Sequence, residues 1–138
     1  MNAPTRLQHK PIIAVDDYDE NDAQFANDTD AMALSIGIAQ YDDFNDENNK
    51  DISLKVWRHT GKKWNRQSEE LPIHRCIDLN ILFVDSLLYA IKNKSLTGTI
   101  VDKNKVKDIA RYYKANERHL KPRLIELKKR LTDFLENN

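Results

Sequence analysis

Between Ala33 and Tyr41 the apolar residues Leu34, Ile36 and Ile38 alternate with Ser35, Gly37 and Ala39. A period of two marks a β-strand, because successive side chains point to opposite faces of the sheet. Here the second face carries nothing larger than a hydroxymethyl group, so another part of the chain must approach it closely. Ile52, Leu54 and Val56 then alternate with Ser53, Lys55, Trp57 and His59. This is a second strand with one apolar and one functionalised face. Ile12 to Val15 form a further short strand. Gly61, followed by Lys62, Lys63 and Trp64, reads as a tight turn into a third, short strand over Trp64 to Gln67. The expected product is a meander whose outer face collects tryptophan and base.

Helices are expected after it. Ser68, Glu69 and Glu70 ahead of Pro72 resemble a helix start, with acids and proline in the first turn. Ile77, Ile81, Val84, Leu88 and Ile91 then predict a helix over Arg75 to Lys92 that is buried on most sides. A second, amphipathic helix is expected over Lys103 to Glu117. Pro122 starts or kinks a last one, along which Leu120, Leu124, Leu127, Leu131 and Phe134 recur at steps of four and three. That stripe spans about two heptads, below what an independent coiled coil needs. It is a packing seam against the domain or against a twin subunit. The reading is therefore α+β: a loose arm over residues 1 to 10, then one domain over 11 to 138. The domain holds a small antiparallel meander, a buried helix and two C-terminal amphipathic helices.

The charge of the 138 residues is balanced, 22 basic against 22 acidic. It is not evenly spread. Residues 1 to 51 hold twelve acids and three bases, a balance of −9, and the remainder carries +9. Such blocks neutralise each other in the fold, attract a second copy, or leave a basic face for an anionic partner. The first nine residues lack an apolar signal region and no apolar run could cross a membrane, so a cytoplasmic setting is expected. The single cysteine, Cys76, fits that setting.

Much chemistry can be set aside. Three glycines, Gly37, Gly61 and Gly98, are too scattered for either glycine-rich phosphate loop. No H-E-x-x-H, G-x-S-x-G or C-x-x-C motif occurs. Asp16, Asp17, Asp19 and Asp22 lack the turn glycine and late glutamate of a calcium loop and read as a solvated connection. Ser68, His74, Cys76 and Asp78 are near in sequence, which is not the test for a catalytic constellation. No catalytic residue, metal or cofactor is expected.

The densest functional signal is Lys55 to Arg75. Trp57, Arg58, His59, Lys62, Lys63, Trp64, Arg66, His74 and Arg75 fall within 21 residues, against only Glu69 and Glu70. Guanidinium forks that pair an oxyanion and flat rings that stack on a base together suit a nucleotide-like anion. Arg111, on a second basic stripe, could close such a pocket. The competing reading is that the tryptophans cover a sheet face while the arginines pair with the N-terminal acids.

The run Lys55-Val-Trp-Arg-His-Thr-Gly-Lys-Lys-Trp-Asn-Arg-Gln-Ser-Glu-Glu-Leu-Pro-Ile-His-Arg75, with Ala14 to Asp19 and Leu34 to Gln40, resembles an uncharacterised family of short bacterial and phage proteins. The resemblance covers roughly residues 11 to 85 and implies no activity. In size and ingredients the chain is also similar to phage anti-defence sponges that sequester cyclic nucleotide or cyclic ADP-ribose-type signals. The leading expectation is a non-catalytic protein that captures an anionic, nucleotide-like small molecule, acts as a homodimer or higher oligomer, and leaves nucleic acid open as a ligand. The alternatives are a metal-dependent enzyme acting on a nucleotide or nucleic acid, and a protein-interaction module.

Overall fold

The computed structural model describes residues 1–42, 50–65 and 69–136. It divides into two compact units, Met1–Asn80 and Ile81–Asn138. The first holds a four-stranded antiparallel sheet in sequence order: β1 (Lys10–Val15), β2 (Ala31–Ile38), β3 (Ile52–Arg58) and β4 (Glu70–Pro72). The expected α+β meander is present. Short 3-10 turns over Tyr18–Asn21 and Ala23–Phe25 connect β1 to β2, and the first of them packs on β2.

The register sorts the side chains into two faces. On one, Val15, Leu34 and Val56 form a cross-strand row, and Ile13, Ile36, Leu54 and Leu71 form the next. On the other lie Ala31, Ala33, Ser35 and Gly37 of β2, with Ala39 just past its end, beside Ser53, Lys55 and Trp57 of β3. This second face is the closed one. Every second residue from Ala31 to Ala39 is buried, and Trp57 is only 1% exposed. The apolar face is open by comparison, with Ile13 at 68% and Val15 at 53%. The structure thus reverses the expectation that tryptophan lies on the outer face.

Gly37 accounts for the closure. A Cβ placed there would lie 2.1 Å from the Lys10 carbonyl oxygen and 2.7 Å from Pro11 Cα. Only a residue without a side chain lets β1 come that near, and β1 shifts register between Pro11 and Ile13 as it does so. Residues 1 to 10 are accordingly held at several points: Lys10 belongs to β1, His9 is completely buried, and the Ala3 N–H donates to Asp16 Oδ1 at 3.0 Å.

Several elements differ from the sequence expectation. The segment read as a helix start is β4, and Pro72 sits on an edge strand where a missing N–H costs no ladder bond. The third strand expected from Trp64 reduces to a single His59–Trp64 bridge, while Arg66, Gln67 and Ser68 lie outside the described residues. Most of the acidic 42–51 connection, residues 43–49, lies outside them too.

The boundary between the units falls within helix α1 (Ile73–Lys92). This helix was expected to be buried on most sides, but it has no fully buried residue, and Ile77, Leu79, Ile81 and Leu82 are all exposed. Its apolar residues are spread around the helix, so one neighbour cannot cover them all. The two expected C-terminal helices are one continuous helix, α2 (Val106–Glu136). Asp102 caps the approach to it by accepting from the Asn104 N–H at 3.0 Å. Pro122 lies inside α2 and deprives the Arg118 carbonyl of its i+4 donor. Exposure to solvent explains why the helix tolerates this, since water can satisfy that oxygen. No helix among the described residues is long and apolar enough to cross a membrane.

Replacing Gly37 by alanine forces backbone against backbone, and overpacking of this kind costs about 1–3 kcal/mol. The Gly37→Ala variant is expected to unfold at a clearly lower urea concentration than wild type, with Ala39→Gly, a few residues further on the same face, as the control for chain flexibility. An unchanged midpoint would refute the close approach.

Candidate functional site

Three places in Met1–Asn80 concentrate chemistry: the closed small-residue face, the turn after β3, and the open apolar face.

On the closed face His9 sits between β2, β3 and β4. Its Nε2 lies 2.9 Å from Ser35 Oγ, and its Nδ1 lies 2.8 Å from Glu70 Oε1 and 2.9 Å from Ser53 Oγ. The Trp57 Nε1–H donates to Ser35 Oγ at 2.9 Å. The Glu70 carboxylate oxygen accepts from Nδ1, so in the neutral ring the proton sits on Nδ1 and Nε2 accepts from the Ser35 hydroxyl. The Ser53 hydroxyl donates to the same carboxylate oxygen at 3.0 Å, and the Gln40 N–H reaches it at 3.3 Å. Serine, imidazole and carboxylate are connected here in the order that activates a nucleophile. Access is what the arrangement lacks: His9 and Ser53 are fully buried and Ser35 nearly so. No buried side-chain N or O among the described residues is left without a partner. A satisfied, buried network of this kind rigidifies a core.

An aromatic series continues from it. His9, Trp57, Trp64 and His59 meet edge to face with successive centroid distances of 5.6, 5.7 and 4.9 Å. The Lys55 ammonium lies 4.2 Å from the Trp57 ring centroid, and burial holds its pKa below the ordinary lysine value.

The expected binding residues are dispersed by these contacts. Trp57 is inside and offers no free face for stacking. Arg58 is bracketed by carboxylates: its Nη1 donates to Asp30 at 2.6 Å, and Nη2 and Nε donate to Glu69 at 2.7 and 3.0 Å. Those bonds, Glu69 first, raise the Arg58 pKa further and lower that of Glu69. The fork is therefore spent within the protein. His59 Nδ1 accepts from the Gly61 N–H at 3.0 Å, and Thr60 Oγ1 accepts from Lys62 and Lys63, closing a turn that needs the positive φ of Gly61. Lys62 and Lys63 are exposed at the tip and Trp64 is half-buried. His74 and Arg75 are exposed on the first turn of α1. Arg111, in the other unit, is exposed and donates to Asp108 at 2.9 Å. Arg66 lies outside the described residues.

The open face is a shallow apolar groove lined by Ile13, Val15, Leu34, Ile36, Leu54 and Val56, with Leu71 and the half-buried Cys76 at one side. The sequence reading did not treat it as a site. Its signal was present all the same, in the apolar positions of three strands that share one register. His9 was missed for a different reason: nothing local marks it, and only the matched serines on the small faces of β2 and β3 point to a buried polar partner. No group of three metal-ligating side chains occurs among the described residues.

Burial lowers the His9 pKa below its ordinary 6.5, outweighing the opposing pull of Glu70. The fold prefers the neutral ring. His9 thus contributes stability that is present above pH 6.5 and is lost as pH falls through 6.5 toward the folded-state value. Urea midpoints taken between pH 7.5 and pH 5.5, above the ordinary carboxylate range, should fall for wild type and fall less for His9→Gln. Equal slopes would contradict the assignment.

No curated protein and no solved structure matches the chain. A family model does match, over residues 1–96, which takes in the whole sheet and α1. By that match, which spans well over half its length, the chain belongs to DUF6530, a family of unknown function.

Proposed function

We propose that this chain is a non-catalytic protein-interaction module that seats an amphipathic, basic helix on the apolar face of its sheet. The observation that carries the reading is the open face itself: two cross-strand rows of aliphatic side chains, with Ile13 and Val15 more than half exposed, opposite a face on which Ala33, Ser35, Ser53 and Trp57 are buried. Four strands about 4.8 Å apart and about six residues long give it an area of about 400 Å². A patch of that size is about the largest that a typical monomer exposes, and such patches are often functional. Covering it is worth on the order of 10 kcal/mol before the costs of association.

The chemistry of the occupant follows from layers and charge. A sheet face in an α+β protein is covered by a helix with an apolar stripe. Met1–Asn80 carries fifteen acidic and nine basic residues, a balance of −6, which favours basic flanks on that helix. The enclosed serine–histidine network and the internally paired Arg58 support binding to protein over chemistry on a small molecule.

A labelled leucine–lysine amphipathic peptide is expected to bind the full chain, held at nanomolar concentration, by fluorescence anisotropy. Ile36→Asp should weaken it at least about tenfold, and so should Val15→Asp, whose exposed position spares the fold. Circular dichroism should be unchanged in the second variant. Absence of binding, or equal binding by both variants, removes the reading.

Capture of a nucleotide-like anion is a second reading, supported by the exposed Lys62 and Lys63 beside the half-buried Trp64. It expects heat on titration with ADP-ribose that disappears in a Lys62→Ala, Lys63→Ala double variant. A flat titration of wild type rejects it.

A further inference from the structure

Resting on the reading of the sheet face just given, we infer that the helix it seats is α2 of a second copy of this chain, in a reciprocal exchange where each copy's sheet receives the other's helix. The unit Ile81–Asn138 has the chemistry required. It carries seven acidic and thirteen basic residues, a balance of +6 that mirrors the −6 of Met1–Asn80. A sheet-to-sheet dimer would set −6 against −6, whereas a sheet-to-helix exchange sets −6 against +6 twice.

The stripe also fits in size. Leu120, Leu124, Leu127, Leu131 and Phe134 follow one side of α2; Leu120 and Leu124 are half-buried, Val84 of α1 lines the same groove, and Leu127, Leu131 and Phe134 are 40%, 49% and 67% exposed. From the first to the last the helix rises about 21 Å. The strands of the sheet, at about six residues, are about 20 Å long. Each contact would remove about 400 Å² from a sheet and about as much from a helix. Two reciprocal contacts then total about 1,600 Å², the usual size of a specific protein interface. Lysines beside the stripe, Lys121 and Lys128, supply the basic flanks. A two-fold axis between the copies makes the exchange closed, so it ends at a dimer.

The geometry has a signature that no other pairing shares. Val15→Asp damages the sheet in both contacts of its own homodimer, and Leu131→Asp damages the helix in both contacts of its own. In a mixed dimer both damaged surfaces meet in one contact, while the other contact is entirely wild type. Native mass spectrometry is expected to find wild type dimeric at micromolar concentration and each variant monomeric. An equimolar mixture of the two variants should regain dimers of mixed mass, and these should dissociate as salt rises.

A mixture that stays monomeric overturns the exchange. So does a Val15→Asp variant that remains as dimeric as wild type, because the sheet then lies outside the interface and the copies pair helix to helix. Wild type that is monomeric throughout but binds the leucine–lysine peptide overturns the second-copy assignment and leaves the interaction surface standing. Wild type that is monomeric and also fails to bind the peptide overturns both.

Discussion

The fit of the Lys10 and Pro11 backbone over Gly37 is the contact on which the rest of the structure depends. A sheet has two faces to satisfy, and this one satisfies its polar face first. The glycine admits the chain, the chain delivers His9, and His9 draws Ser35, Ser53 and Glu70 into one hydrogen-bonded group. Glu70 in that position fixes the pairing of β4, whose Leu71 joins the row on the opposite side. A buried imidazole and carboxylate are costly unless each is partnered, so the network specifies one register for all four strands.

The same closure explains the electrostatics. With Trp57 turned inward against His9 and Lys55, Arg58 points to the other face, where Asp30 from the end of the β1–β2 connection and Glu69 from the approach to β4 flank it. The pairing ties three segments that are distant in sequence. The first third of the chain turns part of its negative charge on its own backbone and on Arg58, and the sheet unit as a whole, paired groups included, carries a net −6. A basic partner is the electrostatic complement of that unit, and the last third of the same sequence has the composition of one.

The interaction reading proposed above rests on which face is left. Had the aliphatic side been inside, Trp57, Lys55 and His59 would form an outer surface suited to an anion. The structure buries Trp57 and half-buries Lys55 and His59 among hydrogen bonds and ring contacts, and leaves Ile13 and Val15 of the aliphatic rows exposed. The part of the chain that the DUF6530 model matches contains the whole of this sheet. Ser35, His9 and Glu70 are connected in the order of a triad, and their side chains are enclosed by the fold.

Much of the fold was legible beforehand. The alternation in Ala31–Ile38 and Ile52–Arg58 determined two strands, Gly61 determined the turn after the second, and the small residues of β2 required a close neighbour. Local sequence reports these because side-chain period and backbone permissiveness are properties of a few adjacent residues. It could not report which face would be closed. That choice belongs to His9, whose partners lie 26, 44 and 61 residues away, and to Lys10 over Gly37. It likewise could not tell that Glu70 would enter a strand and not a helix, or that Arg58 would meet its carboxylates inside the protein. Residue types announce which interactions are possible, but only the tertiary structure decides which are used, because hydrogen bonds and ion pairs are allotted among groups that the chain brings together from a distance.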